Sequence, residues 1–97
     1  MTLFPSIRRK NKEAAKELDA LHSDLTKALG CGYIKIVELS YEQNNFDIQV
    51  MTFTVAKFCN IWNNDLQNYL NEKYKTLEFI YNYNHDGNLD FFVYVRS

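Results

Sequence analysis

Apolar residues recur along the chain with two spacings, one typical of helices and the other typical of strands. From Lys12 to Leu29 they lie three or four residues apart with charged residues between them, which predicts an amphipathic helix. Gly30 and Gly32 then predict its end. A second amphipathic helix is predicted over residues 56–74, where apolar positions at helical spacing oppose a row of amides. The amides are Asn60, Asn63, Asn64, Gln67 and Asn71.

Four further segments are rich in β-branched and aromatic residues and are predicted to pair as two antiparallel hairpins. They cover residues 33–41 with 46–54, and residues 77–84 with 88–96. The register expected for the first hairpin pairs Tyr41 with Phe46, Leu39 with Ile48 and Val37 with Val50. Because side chains alternate along a strand, this register places different residues on the two faces of the sheet.

Residues 81–92, YNYNHDGNLDFF, join the strands of the second hairpin and allow two interpretations. Asn82, Asp86 and Gly87 nearly fit the pattern of a calcium-binding loop. Such a loop needs an acid at its first position, a bidentate Glu at its twelfth and flanking helices, whereas Asn82 and Val93 occupy these positions between strand-like segments. A hairpin turn is the favoured interpretation, and a divalent-ion site is the alternative.

A three-residue loop of His85, Asp86 and Gly87 explains the alternation on both sides of this turn. With Gly87 in the left-handed region as a G1 bulge, Tyr83 pairs with Leu89. The same register pairs Tyr81 with Phe91 and Phe79 with Val93. The apolar residues of both strands then share one face.

Together these elements predict one domain over residues 1–97, with an α+β fold of two layers and the order αββαββ. Two helices pack on one face of a four-stranded antiparallel sheet, and residues 1–11 form a partly flexible, basic N-terminal arm. The predicted core consists of Leu18, Leu21, Leu25, Leu29, Val37, Leu39, Ile48, Val50, Ile61, Trp62, Leu66, Leu70, Leu77, Phe79, Tyr81, Phe91 and Val93.

The opposite sheet face, without helices, is the predicted partner-binding surface. Its apolar residues are Ile34, Ile36, Met51, Phe53, Ile80, Phe92 and Tyr94. Such a set can exceed the roughly 400 Å² of contiguous apolar surface that a monomer usually exposes. We therefore expect either a homodimer through this face or a protein partner that docks on it.

The charge of the chain adds one alternative. Eleven Lys and Arg residues against twelve Asp and Glu residues give a net charge of −1, so bulk electrostatics do not favour nucleic-acid binding. One local cluster stands out, consisting of Arg8, Arg9, Lys10 and Lys12. The alternative function is a nucleic-acid-binding module that uses this basic arm, while the simpler interpretation of the cluster is a solvated terminus.

No arrangement of residues predicts catalysis, a cofactor or a metal site. The two His and two Cys residues are spaced like no zinc module, and three glycines form no phosphate-binding loop. The longest apolar run, residues 91–95, is far shorter than the roughly 20 residues of a membrane span. Basic residues also precede any apolar run of signal-peptide length. We therefore expect a non-enzymatic, cytoplasmic protein.

In size and composition the chain resembles bacterial immunity proteins and phage-encoded inhibitors of host defence, which include small α+β chains rich in Asn, Tyr and Phe. The resemblance involves no residue motif and transfers no site residues. It implies a small non-catalytic cytoplasmic protein that inhibits or neutralises a partner protein. Aromatic anchors and hydrogen-bonding amides suit such a role, because they supply affinity without chemistry.

Overall fold

The computed structural model describes residues 2–37, 48–57, 59 and 65–96, and within these residues the chain forms three α-helices and one four-stranded sheet. The helices are α1 (Pro5–Lys10), α2 (Lys12–Leu29) and α3 (Leu66–Lys73). The strands are β1 (Ile34–Ile36), β2 (Ile48–Val55), β3 (Leu77–Tyr83) and β4 (Leu89–Val95). Their order in the sheet is β1-β2-β4-β3, and all neighbours are antiparallel. The predicted α+β class with an antiparallel sheet is therefore confirmed.

The hairpin of β3 and β4 has the predicted register and turn. Tyr83 pairs with Leu89, Tyr81 with Phe91 and Phe79 with Val93. Gly87 has a φ of 77°, and its N–H donates to the Asn84 carbonyl at 3.0 Å, closing the turn. The Asn84 Oδ1 accepts from the N–H groups of Asp86 and Asn88 at 2.9 and 3.0 Å, so a single amide satisfies two loop donors.

The hairpin of β1 and β2 also follows the predicted register. The Val37 N–H donates to the Val50 carbonyl at 2.9 Å, and Ile36 pairs with Met51. The other two predicted pairs, of residues 39 with 48 and 41 with 46, involve residues outside the described ranges. Tyr33 differs from the prediction, because it belongs to the 3-10 turn Cys31–Tyr33 that precedes β1.

One bulge in β2 decides which residues of this strand are buried. Between Gln49 and Met51 the pairing with β4 shifts by one residue, so Val50 is the extra residue of the bulge. Val50 and Met51 are consecutive and both fully buried, which strict alternation does not allow. Beyond the bulge, Phe53 and Val55 are buried as well. The bulge therefore brings the apolar residues from Val50 to Val55 onto a single face.

The core lies between this face of the sheet and the helices. The rings of Phe53 and Phe91 stack at its centre, with centroids 4.9 Å apart. Predicted core residues that are buried are Leu18, Leu21, Leu25, Val50, Leu66, Leu70, Leu77, Phe79, Phe91 and Val93. Buried residues that were not predicted are Phe4, Ile7, Ala14, Ala15, Met51, Phe53, Val55, Tyr74, Leu89 and Val95. Leu29, Val37 and Tyr81 are half-buried. Residues 39, 61 and 62 lie outside the described ranges, as does the burial of residue 48.

Residues 5–10, expected to belong to a basic arm, instead form α1. Phe4 and Ile7 are buried in the core, and Pro5 occupies the first turn, where its missing N–H has no helical partner to lose. A helix of six residues is not stable alone. The burial of these two side chains is therefore the physical reason that the segment is helical.

Asn11 ends α1 and begins α2. Its backbone is extended, with φ −154° and ψ 100°. Its N–H donates to the Ile7 carbonyl at 2.7 Å, and its Oδ1 accepts from the Ala14 N–H at 3.1 Å. The residue thus satisfies a backbone carbonyl of one helix and a backbone N–H of the next.

The helix predicted over residues 56–74 is shorter in the structure. Ala56, Lys57 and Cys59 are not helical, and α3 begins at Leu66 after its N-cap, Asp65. The Lys57 N–H donates to Asn88 Oδ1 at 3.1 Å, which ties this segment to the β3–β4 turn, and the Cys59 N–H donates to the Ala56 carbonyl at 2.9 Å, forming a single turn. Residues 58 and 60–64 lie outside the described ranges.

Two amides of α3 pair with the edge of the sheet. The Gln67 Nε2 donates to the Phe79 carbonyl at 2.8 Å, and the Asn71 Oδ1 accepts from the Phe79 N–H at 3.0 Å. β3 is an edge strand of the described sheet, so these side chains supply bonds that another strand would otherwise make. At least these two members of the amide row are therefore structural.

Two acidic residues of α2 fix the chain around the end of α3. The Asp24 carboxylate accepts from the Tyr74 hydroxyl at 2.9 Å and lies 3.5 Å from the Lys73 ammonium. The Glu17 Oε1 accepts from both the N–H and the hydroxyl of Thr76, at 2.9 and 2.6 Å. Burial and the bond to Asp24 raise the pKa of Tyr74 to about 12, so its hydroxyl remains a donor well above neutral pH.

We expect Gln67→Glu to destabilise the fold more than Asn71→Asp. A carboxylate at position 71 can still accept from the Phe79 N–H, whereas one at position 67 cannot donate to the Phe79 carbonyl and costs about 1–3 kcal/mol. The helix dipole alone would give the opposite order, because Gln67 lies in the first turn of α3 and Asn71 near its end. Urea unfolding near neutral pH measures both, and equal losses would contradict the assigned donor and acceptor.

We expect the cost of Tyr74→Phe to shrink at high pH. The variant keeps the ring against Phe79 and removes only the hydroxyl bonded to Asp24, at a cost of about 1–2 kcal/mol near neutral pH. The folded-state pKa of about 12 exceeds the unfolded value of about 10, so this stabilisation is complete below about pH 10 and is lost as the pH rises through about 12. Unfolding free energies of both proteins across this window test the expectation, and a constant difference would refute it.

Candidate functional site

The structure divides the seven predicted partner-binding residues between the two faces of the sheet. Ile80, Phe92 and Tyr94 lie on the face without described helices, because they alternate with buried residues along β3 and β4. Met51 and Phe53 are instead in the core, with 0% and 2% exposure. Their assignment to the open side was therefore wrong, and the bulge in β2 is the reason, since it reverses the alternation of that strand.

Ile34 and Ile36 follow Phe53 and Met51 to the helix-covered side. Ile34 pairs with Phe53 and Ile36 with Met51, and directly opposed residues of an antiparallel pair share a face. Ile34 packs against the core, while Ile36 remains 38% exposed on the edge strand. Neither residue belongs to the surface for which it was predicted.

The open side of the sheet is centred on Phe92 of β4. Cross-strand pairing places Thr52 on one side of Phe92 and Ile80 on the other. The next row along β4 consists of Gln49, Tyr94 and Glu78. Ile80 is 43% exposed, and Phe92 and Tyr94 are half-buried among their neighbours. We call this surface, with Ile80, Phe92 and Tyr94 at its middle, the open face.

Polar residues border the open face and are held in place by hydrogen bonds. Asp90 of β4 lies between Thr54 and Asn82 in the row on the other side of Phe92. The Thr54 hydroxyl donates to Asp90 Oδ1 at 2.7 Å, and the Asn84 amide donates to the same atom at 3.3 Å. The surface therefore combines an aromatic centre with an ordered polar border, which is the anatomy of many protein interfaces.

The predicted nucleic-acid-binding cations lie on α1 and in the first turn of α2. Arg8, Arg9 and Lys12 line one cavity of about 430 Å³, together with Thr2 and Pro5. A second cavity of about 250 Å³ shares part of this lining, and its walls are Thr2, Arg8, Lys12, Ala15, Lys16 and Asp19. Lys10 lines neither of these two cavities. We call the pair of cavities, defined by Arg8, Arg9, Lys12 and Lys16, the basic cleft.

Hydrogen bonds fix the N-terminal residues beside the basic cleft. The Leu3 N–H donates to Asp19 Oδ1 at 3.0 Å, and the Phe4 N–H donates to the Thr2 hydroxyl oxygen at 3.1 Å.

Lys16 was not predicted as a member of the cation cluster. Its position was readable from the sequence, since it follows Lys12 by four residues and therefore shares its side of α2.

Neither a metal-ligand cluster nor a membrane-spanning helix is found among the described residues. Among them, no group of three His, Cys, Asp or Glu side chains could hold a metal ion. None of the described helices is long and apolar enough to span a membrane. Cys59 is a free, half-buried thiol whose Sγ lies 3.7 Å from the Ala28 carbonyl oxygen.

We expect Phe53→Ala to cost far more stability than Phe92→Ala. Phe53 is buried and stacks on Phe91, so truncation leaves a cavity and costs about 3–5 kcal/mol. Phe92 is half-buried on the open face, so its truncation costs about 1 kcal/mol. Urea unfolding of both variants measures the difference, and equal losses would show that the faces have been assigned incorrectly.

Comparison with known proteins provides no relative from which a function could be transferred. No family model, no curated protein and no solved structure matches this chain.

Proposed function

We propose that the chain is a small non-catalytic cytoplasmic protein that binds a partner protein through the open face and thereby inhibits or neutralises it. Immunity proteins and phage-encoded inhibitors of host defence act in this way. The observation that carries the proposal is the position of Phe92 and Tyr94 at the middle of a sheet face that no described helix covers. A protein that neutralises its partner by covering the partner's functional surface needs a binding surface of its own but no catalytic residues.

The chemistry of the open face supports binding to a protein. Phe92 and Tyr94 can each bury a large area at a small entropic cost, because their side chains have few rotatable bonds. Such aromatic anchors near the centre of an interface account for most of its binding energy, while surrounding polar groups exclude water. The Asp90 carboxylate and its bonded Thr54 hydroxyl are suited to the border.

The open face is also preorganised. Phe92 and Tyr94 belong to β4, which pairs with β2 on one side and β3 on the other. A side chain on a central strand has its backbone fixed before binding, so association loses less conformational entropy than it would from a loop. This rigidity favours tight, stoichiometric binding.

The reduced size of the open face favours a different protein over a second copy of the chain. Seven apolar residues were expected there, and the structure leaves Ile80, Phe92 and Tyr94. Among the described residues, these three apolar side chains and their polar border are within what a monomer normally exposes. The surface therefore does not require permanent cover by a homodimer.

The test is capture from a bacterial lysate, followed by assay of the purified partner. We expect wild type to retain one protein and to block its activity at a one-to-one ratio. The double variant Phe92→Asp with Tyr94→Asp should bind about 1,000-fold more weakly, since two anchors that contribute about 2 kcal/mol each lose about 4 kcal/mol together. Tyr69→Asp is the matched control, because Tyr69 is an exposed aromatic residue on α3, outside the open face.

Two outcomes would overturn the proposal. Capture that survives the double variant but fails with Tyr69→Asp would move the binding surface to α3. A wild-type chain that sediments as a dimer, and becomes monomeric in the double variant, would show that the open face binds a second copy.

A further inference from the structure

We infer that the basic cleft is a second binding site, and that its ligand is the phosphate backbone of a nucleic acid. The inference is independent of the proposed function, because it rests on different residues. The whole chain has a net charge of −1, yet Arg8, Arg9, Lys12 and Lys16 gather around two cavities with a shared wall. This arrangement is a local departure from the charge balance of the chain.

Acidic neighbours do not cancel the charge of the cleft. Among the described residues that line the two cavities, Asp19 is the one acid against four cations, so the cleft keeps a net positive charge. Glu13 lies 4.0 Å from Lys16, but both side chains are more than 70% exposed, at 72% and 77%. Exposed pairs at that distance contribute little, so Lys16 can exchange Glu13 for a phosphate at small cost.

The position of the cations suits phosphate groups. Arg8 and Arg9 belong to α1 and Lys12 and Lys16 to α2, so an anion in the cleft is approached from two helices. An Arg side chain donates two parallel hydrogen bonds to phosphate oxygens, and Lys adds a compact positive charge. Asn11 fixes the two helices end to end, which keeps the four cations together.

The remaining wall residues indicate contact with the backbone and not with bases. Thr2, Pro5 and Ala15 complete the described lining, and none of the described lining residues is aromatic, so none of them offers a ring on which a base could stack. Phosphate contacts alone give binding that is independent of sequence and steeply dependent on salt.

The basic cleft and the open face lie on opposite sides of the sheet. The cleft belongs to the helical layer, where Phe4 and Ile7 join the core, whereas Phe92 points away from that core. Both sites can therefore be occupied at the same time. A nucleic acid bound at the cleft would leave the aromatic surface accessible.

The test is fluorescence anisotropy with a labelled duplex of mixed sequence. With four phosphate contacts, the logarithm of the wild-type affinity should fall against the logarithm of salt concentration with a slope of about −3.6, at about 0.9 per contact. Arg8→Ala with Lys12→Ala should lower the affinity at least about tenfold and reduce the slope by about 1.8. Lys27→Ala with Lys75→Ala changes the net charge equally outside the cleft and should leave both values near wild type.

Circular dichroism confirms folding of each variant, which is expected because Arg8 and Lys12 are exposed. Phe92→Asp with Tyr94→Asp should retain duplex binding while losing the partner protein, which separates this inference from the proposed function. Absence of duplex binding at low salt, an equal loss in the Lys27 and Lys75 variant, or equal competition by polyglutamate would overturn it. Tenfold tighter binding of single strands than of duplex would also overturn the inference, since a preference for single strands requires stacking on exposed bases.

Discussion

The fold depends on the buried apolar residues of β2, β3 and β4 meeting the helices on one side of the sheet, and the bulge at Val50 makes this possible. β4 alternates without interruption, with Phe91 and Val93 buried. β2 can match it only by changing phase, and the extra residue brings Met51 opposite Val93 and Phe53 opposite Phe91. Without the bulge, Thr52 and Thr54 would face the core, and their hydroxyls would need buried hydrogen-bond partners.

Short-range features of the sequence were sufficient to predict some elements but not others. The β3–β4 hairpin was predicted with its register, because Gly87 and the alternation around it act over a few residues. The face of β2 was assigned wrongly because the alternation before Val50 was continued through the rest of the strand. Adjacent apolar residues do not mark the bulge, since Phe91 and Phe92 are also adjacent in β4, which pairs with β3 without one. α1 could not be predicted from periodicity, because its stability comes from burial of Phe4 and Ile7 in a core assembled by distant segments.

The same distinction applies to the candidate sites. Ile80, Phe92 and Tyr94 were found because one hairpin determines their face, and the cations were found because they cluster in the sequence. The cleft that gathers three of those cations with Lys16 depends on how α1 folds against α2, which no local pattern encodes. Recognition surfaces in general lack sequence motifs, since their affinity comes from shape, area and charge and not from a fixed set of reacting atoms.

The two amides that α3 offers to Phe79 have a consequence for self-association. An open strand edge is a template on which chains polymerise through their backbones, and this risk rises with concentration. At the middle of β3 the template is already filled, since Gln67 and Asn71 occupy the donor and the acceptor of Phe79. An incoming strand must first displace α3, so the docking of this short helix protects the protein from fibril-like assembly along that edge, in addition to completing the core.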